Sequence, residues 1–364
     1  MGSEPFTYDA SQITVLEGLA AVRKRPGMYI GSTGERGLHH LVLEVAGRAM
    51  DEILAGHAGR VEVTLVDGDG VRVADDGPGV PFEDGLEALL TRLPCGWNPA
   101  GRRSVDSFGR QPSVANALSS RLVAEVRREG RRRVQEYVRG VPVAPPADTG
   151  SAGDTGTVIT FWPDAEIFET TQCSFEILAE RFRELAFLNR ELDISLADER
   201  GAEPRSLRFR FPGGVREMVA FHSDIISFEL DEPLMAGEME IAWRWRDSGP
   251  EQVRGFANSR ATRGGGTQVL GFRDGLAATF TALDPDIDTD RIGEGLAAVV
   301  SVKLDSPEFE GCTRDSLGNA EVRGYVRQAV QEHFGRWLAE HPRQAAEIRD
   351  RLVRKDSQLS ATSR

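Results

Sequence analysis

The chain has 364 residues, of which 40% are hydrophobic and 28% charged, a balance typical of a soluble globular protein long enough for two domains. Asp and Glu number 57 against 44 Lys and Arg, so the formal net charge of -13 argues against the basic footprint of a nucleic-acid-binding protein. The three cysteines, Cys95, Cys173 and Cys312, are too widely spaced for a metal motif or a disulfide framework, which favours a reducing cytoplasm.

The amino-terminal segment, residues 1–12, is polar and contains no apolar signal core, and we predict that it forms an arm. The apolar spacing of residues 13–22 predicts a short amphipathic helix. The basic stretch 22–32 contains Pro26 and Gly27, a combination that favours a fixed loop over a helix. No apolar run reaches the length of a membrane span, so no membrane partner is expected.

A longer helix is predicted over residues 38–57, where apolar side chains recur at helical spacing. The opposite face carries a charged row, Glu44, Arg48, Asp51 and Glu52. Taken alone, such a row is interpreted as a solvated surface, because charged side chains are rarely buried. Two histidines near the helix start have no third metal ligand beside them, and we interpret them as packing and capping residues: His39 and His40.

Strands are predicted over 61–66 and 71–74, which alternate apolar and polar residues around a hairpin turn. The second strand runs into DDGPGVP, residues 75–81, where two acids and two glycines predict a tight turn that presents a carboxylate. A long irregular loop rich in Gly, Pro and Arg is predicted over 94–112. The other elements predicted before residue 200 are helices at 113–119 and 175–189, strands at 122–127, 133–138 and 157–162, and a loop at 140–156.

The pattern changes near residues 205–220, which suggests a domain boundary. Beyond it, the order of a strand at 253–258, a helix at 270–283 and a strand at 296–304 predicts a right-handed crossover. A further strand is predicted at 241–246, a last helix at 321–340, and a polar, disordered tail after Arg354.

Several phrases occur in one order along nearly the whole chain: VRKRPGMYIG, LHHLVLEV, DEILAGH, DDGPGVP, SVANALS, RELAFLN, GGGTQVLGFR and EGLAAVVSVK. Together they resemble the ATPase region of the DNA gyrase B subunit and of its topoisomerase IV counterpart, from about Tyr8 to about His341. The resemblance implies an α+β protein, in which a Bergerat (GHKL) ATP-binding sandwich precedes a transducer domain with a right-handed βαβ crossover, similar to ribosomal protein S5.

The domains that this resemblance implies are an arm at 1–12, a GHKL ATPase-like domain at 13–217, a transducer domain at 218–341 and a helix end with a polar tail at 342–364. In the family, full B subunits continue into a metal-binding domain that helps to cleave DNA. We therefore expect that this chain alone neither binds nor cleaves DNA.

The resemblance also assigns site residues. Glu44 matches the general base that activates the attacking water, and Asp75 matches the carboxylate that accepts a hydrogen bond from the adenine amino group. The remaining matches to nucleotide-contacting positions are Tyr8 on the arm, Gly79, Val80 and Pro81 in the turn, Arg128 at the pocket mouth and Thr157 beside it.

The phosphate and metal end departs from the family. Arg48 stands where the family has a magnesium-binding asparagine, and its spacing allows it to pair with Glu44 or with Glu52. Pro78 replaces an arginine that would pair with Glu52.

In the glycine-rich lid, residues 105–112 retain only Gly109, while Asp106 adds a negative charge and Pro112 lacks an N–H. The family's Gln-Thr-Lys loop is Cys312-Thr313-Arg314, where Arg314 matches the lysine that reaches the γ-phosphate.

Because all these changes affect one end of the site, we favour a pseudo-ATPase: a gyrase B-like regulator or partner of gyrase that has lost efficient Mg-ATP hydrolysis. ATP remains a candidate ligand, whereas the site argues against Mg²⁺ and leaves no metal ligand set. In a rival account, arginines replace the metal as direct phosphate clamps, namely Arg48, Arg110 and Arg314.

Two further alternatives remain open. The chain could be an ATP-hydrolysing topoisomerase subunit whose missing parts come from another chain, or a decoy that binds gyrase inhibitors in the adenine pocket. The arm predicts a homodimer or a heterodimer with a gyrase B subunit, and contact with gyrase A only through that partner.

Overall fold

The computed structural model describes residues 18–83, 85–93, 112–219, 225–233, 236–285, 287–311 and 315–352. These residues divide into two compact units. The first contains the described residues up to 179 together with 194–208, and the second contains 180–193 and the described residues from 209 onward. No helix in the described ranges is both long and apolar enough to cross a membrane.

The first unit is built on one large mixed sheet. Its helices are α1 (Leu19–Lys24), α2 (Gly27–Ile30), α3 (Glu35–Leu54), α4 (Gly85–Thr91), α5 (Pro112–Ala117) and the start of α6 (Phe175–Leu188). Its strands are β1 (Val61–Val66), β2 (Gly70–Asp75), β3 (Ser119–Arg128), β4 (Arg131–Val138), β5 (Val141–Pro142), β6 (Ala147–Ser151), β7 (Gly156–Pro163), β8 (Ile194–Asp198) and β9 (Arg205–Phe209). Across the described residues, the order is β5-β4-β3-β7-β2-β1-β8-β9, with β6 paired to β4.

Two features of this sheet position the site. β2 pairs with β1 and β7 in antiparallel register, so that Asp75, its last residue, lies opposite Val61 on one side and Thr157 on the other. Helix α3 buries the apolar face that its periodicity predicts, including Leu38, Leu41, Val42, Val45, Ala49 and Ile53. The polar face of α3 is not simply solvated, because Glu44 is buried as well.

Two local predictions for this unit are wrong. A helix, α2, begins at Gly27, because proline is compatible with a helix start, where its missing N–H would have no intrahelical partner. The Pro26 carbonyl accepts the N–H groups of Tyr29 and Ile30. The predicted loop 140–156 contains the short strands β5 and β6, which form because β4 offers them a pairing edge that the composition of the loop does not reveal.

The second unit contains a five-stranded sheet in the order β10-β11-β14-β12-β13 across the described residues. The strands are β10 (Ile226–Glu232), β11 (Gly237–Trp245), β12 (Gln252–Ala257), β13 (Arg260–Ala261) and β14 (Leu296–Leu304), and β15 (Phe309–Glu310) pairs with β16 (Ser316–Leu317). The helices are α7 (Val215–Val219), α8 (Thr267–Leu283), α9 (Ala320–Glu340) and α10 (Pro342–Leu352), with a 3₁₀ turn at Thr289–Arg291. β12 and β14, which precede and follow α8 in the chain, pair in parallel, as a crossover requires.

The core of the second unit is aromatic. Trp243 makes edge-on contacts with Phe272 and Phe334, at 5.5 Å between ring centroids in each case. Helix α8 approaches α9 closely at a glycine, since a Cβ at Gly271 would lie 2.5 Å from the carbonyl oxygen of Arg323. A side chain at that position would force the two helices apart.

Candidate functional site

Asp75 lies at the end of β2 with its side chain buried, and both of its carboxylate oxygens have partners. Oδ1 accepts the backbone N–H of Gly77 at 3.0 Å, and Oδ2 accepts Nη1 of Arg48 at 2.5 Å. Burial raises the pKa of Asp75 above its ordinary value, and the neighbouring Arg48 charge opposes that rise. The carboxylate expected to receive a ligand is therefore already engaged within the protein.

Arg48 holds two carboxylates at once. Its Nη1 donates to Asp75, and its Nη2 donates to Glu52 Oε1 at 3.2 Å, one helical turn further along α3. Only 12% of the Arg48 side chain is exposed. Helical spacing allows Arg48 to pair with Glu44 or Glu52, and in the structure it donates to Glu52. The long-range contact with Asp75 is one that the spacing does not reveal. We call Arg48, Glu52 and Asp75 the Asp75 cluster.

Glu44 is buried on the same helix, 6% exposed, and its Oε1 lies 3.0 Å from Nε2 of His40, one turn earlier. The interpretation of His40 as a capping residue is therefore wrong, and its spacing of four residues from Glu44 is the signal that points to the contact. The packing role of His39 agrees with the structure, since its buried Nε2 accepts the N–H of Ser174 at 2.8 Å. Burial lowers the pKa of His39.

Four other predicted site residues meet beside this cluster and form what we call the Gly79 cluster: Gly79, Val80, Arg128 and Thr157. Thr157 Oγ1 accepts the N–H of Val80 at 3.3 Å, and Arg128 Nη1 donates to the carbonyl of Gly79 at 2.8 Å. Gly79 adopts a φ of 76°, and a Cβ there would lie 2.6 Å from the Arg127 carbonyl oxygen, so only glycine fits. Pro81, the next residue of the turn, is exposed at its end.

The geometry can be set beside known proteins. The 43K ATPase domain of gyrase B from Thermus thermophilus, solved in complex with an aminocoumarin, is 31% identical to this chain, with a TM-score of 0.78 over 92% of this chain and 93% of that one. The chain belongs to the DNA gyrase B family. A family model for DNA gyrase B also matches residues 214–364.

Curated gyrase B relatives agree. The DNA gyrase B protein of Streptomyces coelicolor is 42% identical over 95% of this chain and 57% of that protein. The corresponding protein of Haloferax volcanii is 41% identical over 99% of this chain and 64% of that protein. The chain thus spans about three fifths of the length of such relatives. The ATP-binding domain of topoisomerase IV from Francisella tularensis, solved with a small-molecule inhibitor, has a TM-score of 0.74 at 27% identity, over 93% of this chain and 96% of that one.

Position 48, where the resemblance to the family predicts a magnesium-binding asparagine, is an arginine in this chain. Position 48 carries a guanidinium, which has no lone pair for a cation and repels it. Among the residues that the structure describes, no group of three or more His, Cys, Asp or Glu side chains could hold a metal ion. Arg48 itself therefore offers no ligand to Mg²⁺.

Several predicted residues of the gyrase B-like site lie outside the described ranges: Tyr8, Asp106, Gly109, Arg110, Cys312, Thr313 and Arg314. The arm at 1–12, the tail after Arg354 and the lid up to residue 111 lie outside them too. Their assignments remain predictions, as do the roles assigned to the site residues that are described. Pro112 is described, and it is buried as the first residue of α5.

Proposed function

We propose that this chain is a gyrase B-like ATPase-region protein that does not turn over Mg-ATP efficiently and acts as a regulator or partner of gyrase. The observation that carries the proposal is the partly buried guanidinium of Arg48, held between Asp75 and Glu52 on the helix that also bears Glu44. A positive charge fixed at this point opposes a divalent cation, and phosphoryl transfer depends on cations that neutralise the developing charge.

Helix α3 otherwise retains the carboxylate that matches the family's general base. Glu44 matches the family's general base, which accepts a proton from water, and Nε2 of His40 lies 3.0 Å from its Oε1. A base without a neutralised, positioned phosphate accelerates hydrolysis little, because most of the catalysis comes from positioning and electrostatic stabilisation. Loss of turnover with a retained base is therefore consistent with a protein that acts by binding a partner rather than by hydrolysing ATP.

Phosphate release tests the proposal. We expect the purified chain to release phosphate from ATP with Mg²⁺ at the same low rate as Glu44→Ala, since the base has no assembled site to serve. Glu62→Ala, at an exposed carboxylate on β1, is the matched control for removal of a negative charge. Robust, magnesium-dependent release that Glu44→Ala abolishes would show that the chain is an active ATPase.

The same assay addresses the rival in which another chain completes the site. Here ATP turnover is measured with a gyrase B protein, gyrase A and DNA added, using a gyrase B preparation that is inactive by itself. Under our proposal, the present chain adds no Glu44-dependent turnover to the mixture. If it does add such turnover, it is a working subunit rather than a regulator.

Partnership and organisation belong to the same proposal. We infer a homodimer, or a heterodimer with a gyrase B protein, in the cytoplasm, built from domains at 13–217 and 218–341 with an arm at 1–12. Light scattering of the chain alone and mixed with a gyrase B protein measures this directly. A mass that stays monomeric in both samples would contradict it.

A second candidate, a decoy for gyrase inhibitors, is favoured by the intact Gly79 cluster. Arg128 and Gly79 are in contact at 2.8 Å, and an aminocoumarin occupies the related gyrase B domain of Thermus thermophilus. Calorimetry with an aminocoumarin would support this role if binding is tight and Arg128→Ala weakens it. Arg131→Ala, at the start of β4 just beyond the hairpin turn, is the matched arginine control.

A further inference from the structure

We infer that Arg48 is a specificity-determining residue that closes the base-recognising acceptor of this site, and that Pro78 belongs to the same change. The inference rests on the gyrase B-like ATP site of the proposed function, in which Asp75 matches the family's acceptor for the adenine amino group. It goes further in stating why adenine binds weakly here and which substitutions strengthen its binding.

The closure follows from the state of the Asp75 carboxylate. Each of its oxygens accepts one hydrogen bond, from the N–H of Gly77 and from Nη1 of Arg48, and with the side chain only 1% exposed the remaining lone pairs are not open to a ligand. An incoming amino group would compete with a guanidinium that is charged, can donate two parallel hydrogen bonds, and belongs to a side chain only 12% exposed. Displacing that guanidinium would leave a buried positive charge with one carboxylate fewer, which is costly in a buried site.

Glu52 fixes Arg48 in this orientation. Its Oε1 accepts Nη2 of Arg48 at 3.2 Å, while its Oε2 lies 3.3 Å from Nδ1 of His57. The guanidinium is thus bridged between a carboxylate on α3 and a carboxylate on β2. Because each of its two Nη atoms has a separate acceptor, rotation away from Asp75 would break a geometry that both contacts define.

Pro78 is part of the same change because its loop runs beside Glu52. A Cβ on Gly77 would lie 3.7 Å from the Cβ of Glu52, and Pro78 follows directly as an exposed residue with no charge to offer. An arginine at position 78 is therefore within side-chain reach of Glu52. With proline there instead, the guanidinium that neutralises Glu52 comes from Arg48, and that arginine also reaches Asp75. The two positions are parts of one relocated positive charge.

The double variant Arg48→Asn/Pro78→Arg returns this charge to the loop while the net charge stays constant. Its ligand is ADP, titrated calorimetrically in the presence of EDTA, so that neither a metal nor hydrolysis is involved. We expect the double variant to bind ADP at least about tenfold more tightly than the unmodified chain, because a hydrogen bond to a charged group contributes roughly one decade in affinity or more. Asp75→Asn added to the double variant should remove the gain.

Pro78→Arg alone is the matched control. It adds an arginine near Glu52 but leaves Arg48 on Asp75, so its ADP affinity should equal that of the unmodified chain. Arg48→Gln alone removes the charge while keeping a donor for Glu52, and it should gain affinity even if the double variant does not fold. Thermal melts establish that each variant compared is folded.

Equal ADP affinity of the unmodified chain and of a folded variant without Arg48 would overturn the inference. This failure is distinct from failure of the proposed function, which appears as magnesium-dependent phosphate release by the unmodified chain. A chain that hydrolyses ATP would refute the pseudo-ATPase, and unchanged ADP binding in EDTA would refute the closure.

Discussion

Two aspartates end strands of the same sheet, and each is paired with an arginine, yet they differ in almost every other respect. Asp198 ends β8 and pairs with Arg200, two residues later, through Nε–Oδ1 at 2.8 Å and Nη2–Oδ2 at 2.9 Å. Asp75 ends β2 and pairs with Arg48, 27 residues earlier, on a helix. The first pair closes within one turn of chain, whereas the second joins a helix to a strand.

Their environments separate the two pairs further. In the Asp198 pair the carboxylate side chain is 11% exposed and the arginine side chain 23%, and hydrogen bonds from Arg200 lower the pKa of Asp198 to about 2. In the Asp75 pair the carboxylate is 1% exposed and burial raises its pKa despite the arginine beside it. The less deeply buried pair stabilises the ionised acid, whereas the more deeply buried Asp75 pair holds its charges at a larger cost of desolvation.

The largest expected effect comes from breaking the buried pair. Arg48→Ala would leave Asp75 and Glu52 without their shared cation, and we expect the free energy of unfolding to fall by about 3 kcal/mol, the range found when one partner of a buried pair is removed. Urea denaturation at neutral pH measures the loss. Arg60→Ala is the matched control, because Arg60 and Glu62 form an ion pair that is 63% and 37% exposed. That control should lose less than about 1 kcal/mol. Equal losses would show that burial does not distinguish these pairs.

The two aspartates should also differ in how the free energy of unfolding depends on pH, with a smaller effect. One pKa unit corresponds to about 1.4 kcal/mol, and solvent reduces this at a partly exposed site. The pKa of Asp75 is raised above 3.8 by folding, so its contribution to stability is greatest below pH 3.8 and falls as pH rises through the raised pKa. The pKa of Asp198 is lowered to about 2, so its contribution is present above pH 3.8 and is lost as pH falls towards 2.

Urea titrations of the unmodified chain, Asp75→Asn and Asp198→Asn between pH 3 and pH 7 test these signs. The stability difference between the chain and Asp75→Asn should shrink with rising pH, while that for Asp198→Asn should grow up to about pH 4, near the unfolded pKa, and then level off. Slopes of the same sign for both variants would contradict the contrast.

The smallest effect is expected in the Gly79 cluster. The contacts described within it are hydrogen bonds, and none of them is a buried ion pair. Thr157→Val keeps the side-chain shape and removes the acceptor for the Val80 N–H, so we expect a loss of about 1 kcal/mol. Thr160→Val, a half-buried position on the same strand, should change stability by less than about 0.5 kcal/mol. A large loss for Thr157→Val would mean that this cluster is as heavily coupled as the Asp75 cluster.

Much of this protein is determined locally by its sequence. The apolar spacing of residues 38–54 is sufficient to predict helix α3 and its buried face, and the order of strand, helix and strand from 253 to 304 predicts the parallel pairing of β12 with β14. The contact between His40 and Glu44 was also within reach of the sequence, because both lie on one helix one turn apart. The same locality holds for the pair of Asp198 and Arg200.

Only the tertiary structure decided what Arg48 does. Helical spacing offers it partners four residues away, but which strand end lies above the helix depends on how the sheet is ordered and how the helix packs across it. β5 and β6 were hidden for the same reason, since a strand needs a neighbouring edge that local composition does not supply. A charge responds to every group within a few ångströms in space, while a sequence pattern reports only neighbours along the chain. For that reason helix α3 was predictable from the sequence, whereas the contact between Arg48 and Asp75 was not.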